Sequence, residues 1–415
     1  MLSASNIRDN FPILCRKVEG RPLVYFDNAA TSQRPLAVLE QQELLCREHN
    51  ANIHRAAHTL SYEATEAYEA GRKAAQKFLG AASSDEIVLT SGATMAINLV
   101  ADCLCRSGLL GAGDAILLTE AEHHSNIVPW QMACSKTGAH LEVIPVRAGR
   151  EGANDGAVDM ESYRQALQRG VKVVAIAHVS NILGVVNPIK EMIAAAHQAG
   201  AVVLIDGAQG IAHRKVDVVD LDCDFYAFSG HKIYAPTGIG VLYGKCAWLE
   251  KLPPYMGGGD MVVKVSFEKT TYADIPLKFE AGTANFVAGA CLKPALEFAS
   301  EAMASPSLKE REKQLAGAMT SALNAVDGLW VAAAEATDRV PLWSFTIEGV
   351  HPLDAAMLMD KMGVALRSGH MCAEPIVDRI GGGSMLRASL MPYNTAEEVE
   401  VFAQALQRTV KTLRK

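Results

Sequence analysis

Asp224-Phe225-Tyr226-Ala227-Phe228-Ser229-Gly230-His231-Lys232 is an apolar run that empties into a Ser-Gly-His-Lys turn. Such a run reads as a strand covered on both faces by helices, as in a mainly parallel sheet. In open α/β sheets ligands gather at the carboxyl ends of strands, so Lys232 stands at the mouth of the sheet. A lysine held there, near a cationic group and partly desolvated, loses its proton and forms a Schiff base with an aldehyde cofactor. Taken alone, Lys232 reads more simply as a surface lysine after a strand.

The run before it shifts that balance. Val202-Val203-Leu204-Ile205-Asp206-Gly207-Ala208-Gln209 again ends an apolar strand in a carboxylate. An aspartate beneath a pyridinium nitrogen keeps that nitrogen protonated and makes the ring an electron sink; otherwise Asp206 caps a turn. Gln209 either reaches a ring oxygen or opens a helix. Thr90-Ser91-Gly92-Ala93-Thr94 joins a strand to a helix, where N–H groups and hydroxyls either point at a phosphate or simply cap the helix. Glu122-His123-His124-Ser125-Asn126 follows another strand and offers an imidazole to stack on a ring or pass protons. Adjacent His123 and His124 diverge on either a helix or a strand, so no metal site is expected there.

From about Asp85 to Gly244, apolar β-branched runs alternate with amphipathic stretches. The residues predict strands at Glu86 to Leu89, Ala115 to Leu118, Val171 to His178, Val202 to Asp206, Phe225 to Phe228 and Ile239 to Tyr243. Helices are predicted at Thr94 to Cys105, Asn126 to Thr137, Glu161 to Gln168 and Ile189 to Gln198. Upstream, Pro35 to Leu79 reads as helices broken around His49 to His58, an aperiodic polar segment with the character of a functional loop. Downstream, Met256 to Asp260 is a flexible turn, and Ala295 to Val326 is a long helical stretch linking a large domain to a smaller one. There Leu342 to Ile347 and Leu386 to Leu390 read as strands and Ala396 to Leu413 as a closing amphipathic helix.

The 415 residues carry 39 basic and 46 acidic side chains, a net charge of −7, with 49% hydrophobic and 20% charged residues. That composition excludes disorder for most of the chain and, lacking a basic cluster, argues against nucleic acid as a partner. Small anionic ligands remain compatible with it. The start has neither the basic flank nor the apolar run of a signal peptide, and no window of eighteen apolar residues occurs, so a cytoplasmic protein without a membrane span is expected. Nine scattered cysteines show no zinc or disulfide spacing; reduced thiols and no metal are expected.

Three strings are the most specific: Phe228-Ser229-Gly230-His231-Lys232-Ile233-Tyr234, Glu280-Ala281-Gly282-Thr283-Ala284-Asn285 and Arg367-Ser368-Gly369-His370-Met371-Cys372-Ala373. With them the chain resembles the fold type I enzymes of pyridoxal 5'-phosphate (PLP), within the class V aminotransferase group. It is most similar to the group II, Suf-type cysteine desulfurases. The resemblance runs from Tyr25-Phe26-Asp27-Asn28-Ala29-Ala30-Thr31 to Arg387-Ala388-Ser389-Leu390. It implies an α/β fold in which a large PLP-binding domain, residues 20–293, holds a mainly parallel seven-stranded sheet flanked by helices. A smaller α+β domain, residues 1–19 and 294–415, would carry the cysteine loop.

By the same resemblance Lys232 holds PLP, Asp206 pairs with the pyridine nitrogen, Gln209 with the ring hydroxyl oxygen, and His123 stacks on the ring and shuttles the substrate thiol's proton. Thr94, Ser229 and His231 bind the phosphate, and Thr283 reaches the phosphate of the neighbouring subunit in a homodimer. Asn181 and Arg387 hold the substrate carboxylate with Arg367 beside them; His54 and Arg55 line the entrance or are simply solvated. Cys372, in the short polar loop Arg367 to Pro375, is the sulfur-accepting nucleophile, and His370 and the arginines are expected to favour its thiolate. Two departures bear on loop packing around Cys372 and on a partner for Arg55: Met95 where an acidic residue often stands, and Met371 where a histidine often does.

The implied reaction converts L-cysteine to L-alanine, Cys372 taking the sulfur as a persulfide. A SufE-like or SufU-like acceptor protein then receives it for iron–sulfur cluster assembly. Selenocysteine lyase and cysteine-sulfinate desulfinase are rivals in the same site, because their substrates share the amino acid end. The non-enzymatic rival is a PLP-binding sulfur-carrier scaffold.

Overall fold

The computed structural model describes residues 2–55 and 57–414. Its main sheet has seven strands: β1 Ile87–Thr90, β2 Ala115–Thr119, β3 His140–Ile144, β4 Val171–Ala177, β5 Val202–Asp206, β6 Phe225–Ser229 and β7 Gly240–Gly244. They lie in the order β1-β7-β6-β5-β4-β2-β3. β7 runs antiparallel to both of its neighbours, while the other pairs are parallel. β1, β2, β5, β6 and β7 are buried at every position, which is why their sequences are unbroken apolar runs.

The residues predicted six of these strands; β3 is the correction. His140-Leu141-Glu142-Val143-Ile144 mixes polar and apolar positions and leaves His140 and Val143 exposed, because it is an edge strand paired only with β2. At the opposite end the sheet is drawn together by Gly240, where a Cβ would come within 2.4 Å of Gly92 Cα. Glycine there lets the start of β7 press against the turn after β1.

A hairpin, β8 Val262–Val265 with β9 Thr270–Tyr272, stands exposed from this unit. A second sheet is wholly antiparallel: β10 Leu329–Val331, β11 Leu342–Ile347, β12 Arg367–Gly369 and β13 Met385–Ser389, in the order β10-β11-β13-β12. Trp343, Phe345 and Leu386 of that sheet pack with Phe402 and Leu406 of the closing helix Ala396–Leu413. The helix starts at Thr395, whose side chain accepts the N–H of Glu398 while Glu398 accepts that of Thr395, a reciprocal cap legible in the sequence as Thr-x-x-Glu.

The helical stretch expected as one piece at Ala295 to Val326 is two helices, Leu292–Ala304 and Pro306–Asn324. Pro306 forces the residue before it toward extended backbone, and Ser305 accordingly has ψ +117°. Leu292, Ala295 and Leu296 join the core of the large sheet, as do Ile7, Phe11 and Leu14 from the N-terminal segment. Val24 and Phe26 instead join the small core. Ser389 N–H donates to Phe26 O and Phe26 N–H to Ala365 O, so residues 26–30 are carried between the two sheets. Among the described residues no helix is long and apolar enough to cross a membrane, and no group of three or more His, Cys, Asp or Glu is placed to hold a metal.

Candidate active site

The parallel strands β2, β4, β5 and β6 share one carboxyl edge, with Ala177 paired to Asp206 and Asp206 to Ala227. A cavity of about 230 Å³ opens there. Lys232, Asp206, Gln209, His123, Thr94, Ser229, His231, Asn181, Arg367, Arg387 and Cys372 all line it. Residues distributed over nearly three hundred positions of sequence thus meet because the strand ends and the small sheet's edge face each other.

The floor is desolvated. Burial pulls the Lys232 ammonium down to about 8, with Arg387 adding to the fall and the Asp206 carboxylate opposing it. Lys232 has no hydrogen-bond partner among the described residues. Burial pushes the Asp206 carboxyl up, opposed by the Ala208 N–H it accepts at 2.9 Å and by Lys232. His123 is pulled down to about 3 by burial and then by Lys232, so its ring is neutral at neutral pH. Its Nδ1 accepts the Ser125 N–H at 3.1 Å, which leaves the proton of the neutral ring on Nε2. Gln209 Nε2 donates to Ala29 O at 2.7 Å, fixing the amide at the cavity wall.

Beside the floor lies a cradle for an anion. The helix Ala93–Arg106 begins at Gly92 without a side chain of Gly92 to cap it, leaving the Thr94 and Met95 amides available. Ala93 N–H donates to Ser229 Oγ at 2.9 Å, and the Thr94 and Ser125 hydroxyls lie 2.7 Å apart. His231, pulled down to about 4 by burial, keeps Nδ1 buried with no partner.

Arg387 enters from β13. Its Nη1 donates to Asn181 O at 2.8 Å and its Nη2 lies 3.6 Å from Asp27 Oδ1, while Nε is buried with no partner. Burial brings its guanidinium down to about 10, and Asp27 opposes the fall. Arg367 Nη1 stands 3.6 Å from the other Asp27 oxygen. Asp27, whose carboxyl burial pushes up, therefore sits between both arginines. Its role was not legible in Tyr25 to Thr31, because only the bridge between Asp27 and Ser389 brings it to β13.

Cys372 is exposed and follows β12 in the small unit. Met371 and Cys372 both have left-handed backbone, φ +49° and +56°, which costs about 1–2 kcal/mol for each L-residue. Three bonds from the opposite wall retain it. Asn181 Nδ2 donates to Met371 O at 2.7 Å, His124 N–H donates to Cys372 O at 2.7 Å, and Glu374 N–H donates to His124 Nε2 at 3.1 Å. His124 thus clamps the cysteine loop from both sides, a role that the His-His pair signalled only as a poor metal motif. His370, whose ring was expected near the thiol, has Nε2 within 4 Å of the Glu374 and Asp378 carboxylates.

Three residues singled out by resemblance lie outside the cavity lining of this chain. Thr283 is exposed, His54 faces Glu69 at 3.1 Å, and Arg55 pairs with Asp260 at 2.7 Å. Arg55 therefore has a carboxylate partner even with methionine at position 95. Met95 accepts hydrogen bonds at its sulfur from the Ser91 N–H and hydroxyl, and Met371 is buried against the cavity.

The aminotransferase class-V family matches residues 24–402. The cysteine desulfurase of Shigella flexneri is 44% identical over 99% of each chain, and that of Cronobacter sakazakii is 42% identical over 99% of each. The crystal structure of the cysteine desulfurase CsdA from Escherichia coli superposes with a TM-score of 0.90 at 36% identity, covering 100% of both chains. The chain belongs to the class-V aminotransferase family and, within it, to the cysteine desulfurases.

Proposed function

We infer that the chain is an enzyme, a cysteine desulfurase that takes sulfur from L-cysteine onto Cys372, with PLP held in the 230 Å³ cavity. The observation that carries this reading is that a desolvated lysine, a buried carboxylate and an exposed cysteine face the same space. The donor set suits PLP. His231 Nδ1 is a buried polar atom with no hydrogen-bond partner beside the start of the Ala93–Arg106 helix, a pairing that suits a phosphate. Lys232 would hold the cofactor, Asp206 its ring nitrogen, Gln209 its ring oxygen and His123 its face. Thr94, Ser229 and His231 would hold its phosphate. When bound, PLP supplies an electron sink beside the substrate's α-carbon.

The chain's own residues do the rest. Arg387 and Asn181 orient the substrate carboxylate, with Arg367 completing the cationic end. Lys232, its proton affinity reduced toward neutrality, takes the α-proton. The Cys372 thiolate attacks the substrate sulfur: an S–S bond forms, the C–S bond breaks, and its electron pair stays with the carbon fragment, which gains a proton and leaves as alanine. His123, neutral and protonated at Nε2, donates a hydrogen bond from that atom toward the substrate sulfur. The persulfide's outer sulfur passes to a SufE-like or SufU-like acceptor for iron–sulfur cluster assembly in the cytoplasm. A homodimer, with Thr283 of each chain serving its partner and His54 and Arg55 near the entrance, completes the reading. So does the division into a large unit, 20–293, and a small one, 1–19 with 294–415, in which residues 1–19 rest on the large core through Ile7, Phe11 and Leu14 and reach the small unit through the Arg8–Glu398 ion pair.

Alanine release from L-cysteine, L-selenocysteine and L-cysteine sulfinate, by wild type and Cys372→Ala, tests this. Release from cysteine is expected to fall to background in the variant while the other two persist. Undiminished release from cysteine without Cys372 would overturn the assignment.

A further inference from the structure

Away from the active cavity, a second cleft of about 440 Å³ separates the segment 212–215 and Arg339 from the helix Pro306–Asn324. Arg214, Lys215, Lys309, Lys313 and Arg339 line it, against the single carboxylate Glu312. This concentration of positive charge occurs in a chain whose net charge is −7. Arg214 is paired with Asp338, but Lys215, Lys309 and Lys313 have no ion pair among the described residues. Lys309 and Lys313 stand four residues apart on one helix, where like charges repel unless an anion lies between them.

The lining also contains buried polar atoms that lack a partner. Arg339 spends its terminal N–H groups on the carbonyls of Ala333, Leu183 and Leu342, yet its Nε is buried with no acceptor. The His213 side chain is nine-tenths buried and its Nδ1 has no hydrogen bond, the Glu312 carboxylate being 4.0 Å away. Buried groups of this kind ordinarily have a partner. A second, more apolar cavity of about 540 Å³ shares Lys215, Met303 and Lys309 with the cleft and is walled by Phe78, Val216 and Leu296.

We propose that this cleft binds a phosphorylated small molecule. Its phosphate oxygens accept from Lys309 and Lys313, with Lys215 on the other side of the cleft and the Arg339 guanidinium adding fixed positive charge to the wall, and its organic part occupies the adjoining apolar cavity. Phosphate suits the site because it offers several acceptor oxygens to donors that converge from two elements, and lysines serve it as point charges. A ligand there bridges the segment 212–215 and the helix Pro306–Asn324. It also touches Tyr234, two residues beyond Lys232. The site is independent of the desulfurase reading.

The test is calorimetric titration of the PLP-loaded protein with inorganic pyrophosphate and with adenosine diphosphate at low, matched ionic strength. Wild type is expected to bind both with one site per chain, the nucleotide more tightly. Lys309→Glu with Lys313→Glu should weaken both at least tenfold while alanine formation is retained, which shows that the variant is folded. Lys361→Glu, outside the cleft, should bind as wild type does. Absence of saturable binding, affinity in the double variant within twofold of wild type, or equal weakening by Lys361→Glu would each overturn the site. Equal affinity for the two probes would remove the apolar cavity from it.

Discussion

The two walls of the active cavity are built on opposite plans. The strand-end wall presents Lys232, Asp206 and His123 from buried elements, and burial is the largest cause of the pKa shift in each. The facing wall presents an exposed cysteine on left-handed backbone, held between the buried Met371 and Ala373 and by hydrogen bonds to Asn181 and His124. The difference divides the chemistry. Proton removal needs a fixed, dry amine whose pKa lies near the working pH, whereas sulfur relay needs a thiol that meets substrate on one side and an acceptor in solvent on the other.

That division can be broken experimentally, because the two walls have separate readouts. Exchange of the α-proton of L-alanine with deuterated solvent reports the strand-end wall, and persulfide formation from L-cysteine reports both. Lys232→Ala is expected to lower both by about a thousandfold, the scale of a lost acid–base group. A variant that kept α-proton exchange would remove Lys232 from its role. His124→Ala deletes the acceptor of the Glu374 N–H and should slow persulfide formation about three- to tenfold, as for one hydrogen bond, while leaving α-proton exchange unchanged. Equal losses in both readouts would mean that the walls do not work separately.

The smallest effect concerns the support beneath His123. Glu122 accepts from Thr119 Oγ1, Asn126 Nδ2 and the Ala177 N–H, and burial raises its carboxyl from 4.5 to about 7. The folded protein thus keeps a proton that the unfolded chain releases. The stability this group contributes is full below about 4.5 and is lost as pH rises through 7. The melting temperature of wild type should therefore fall relative to that of Glu122→Gln across that interval. Parallel pH curves for the two proteins would contradict it.

How far the molecule was legible follows the same contrast. Lys232 and Asp206 could be read because they end fully buried strands, whose composition is dictated by helices on both faces. β3 could not, since a half-exposed edge tolerates the polar residues of a loop. The break at Ser305 followed from Pro306, whose local steric effect outweighs the helical periodicity on either side of it. In the cavity, Asn181 and Arg387 were reached through family resemblance, but Asp27 and His124 were missed. Asp27 matters through a bridge to a strand more than 350 residues away in sequence, and His124 through a bond to Glu374. Such pairings leave no local periodicity or motif of their own. Thr283, His54 and Arg55 fall outside this chain's cavity; the role proposed for Thr283 turns on a second subunit, while His54 and Arg55 pair with Glu69 and Asp260 of their own chain.

The central claim is that sulfur leaves the substrate onto one particular thiol. The direct measurement is mass mapping of cysteine-containing peptides after a single turnover of the PLP-loaded protein with L-cysteine and no acceptor. One added sulfur atom per chain on the Cys372 peptide, formed together with one alanine, is the predicted result. Alanine formed with Cys372 unmodified, or with the sulfur on another of the nine cysteines, would contradict the account.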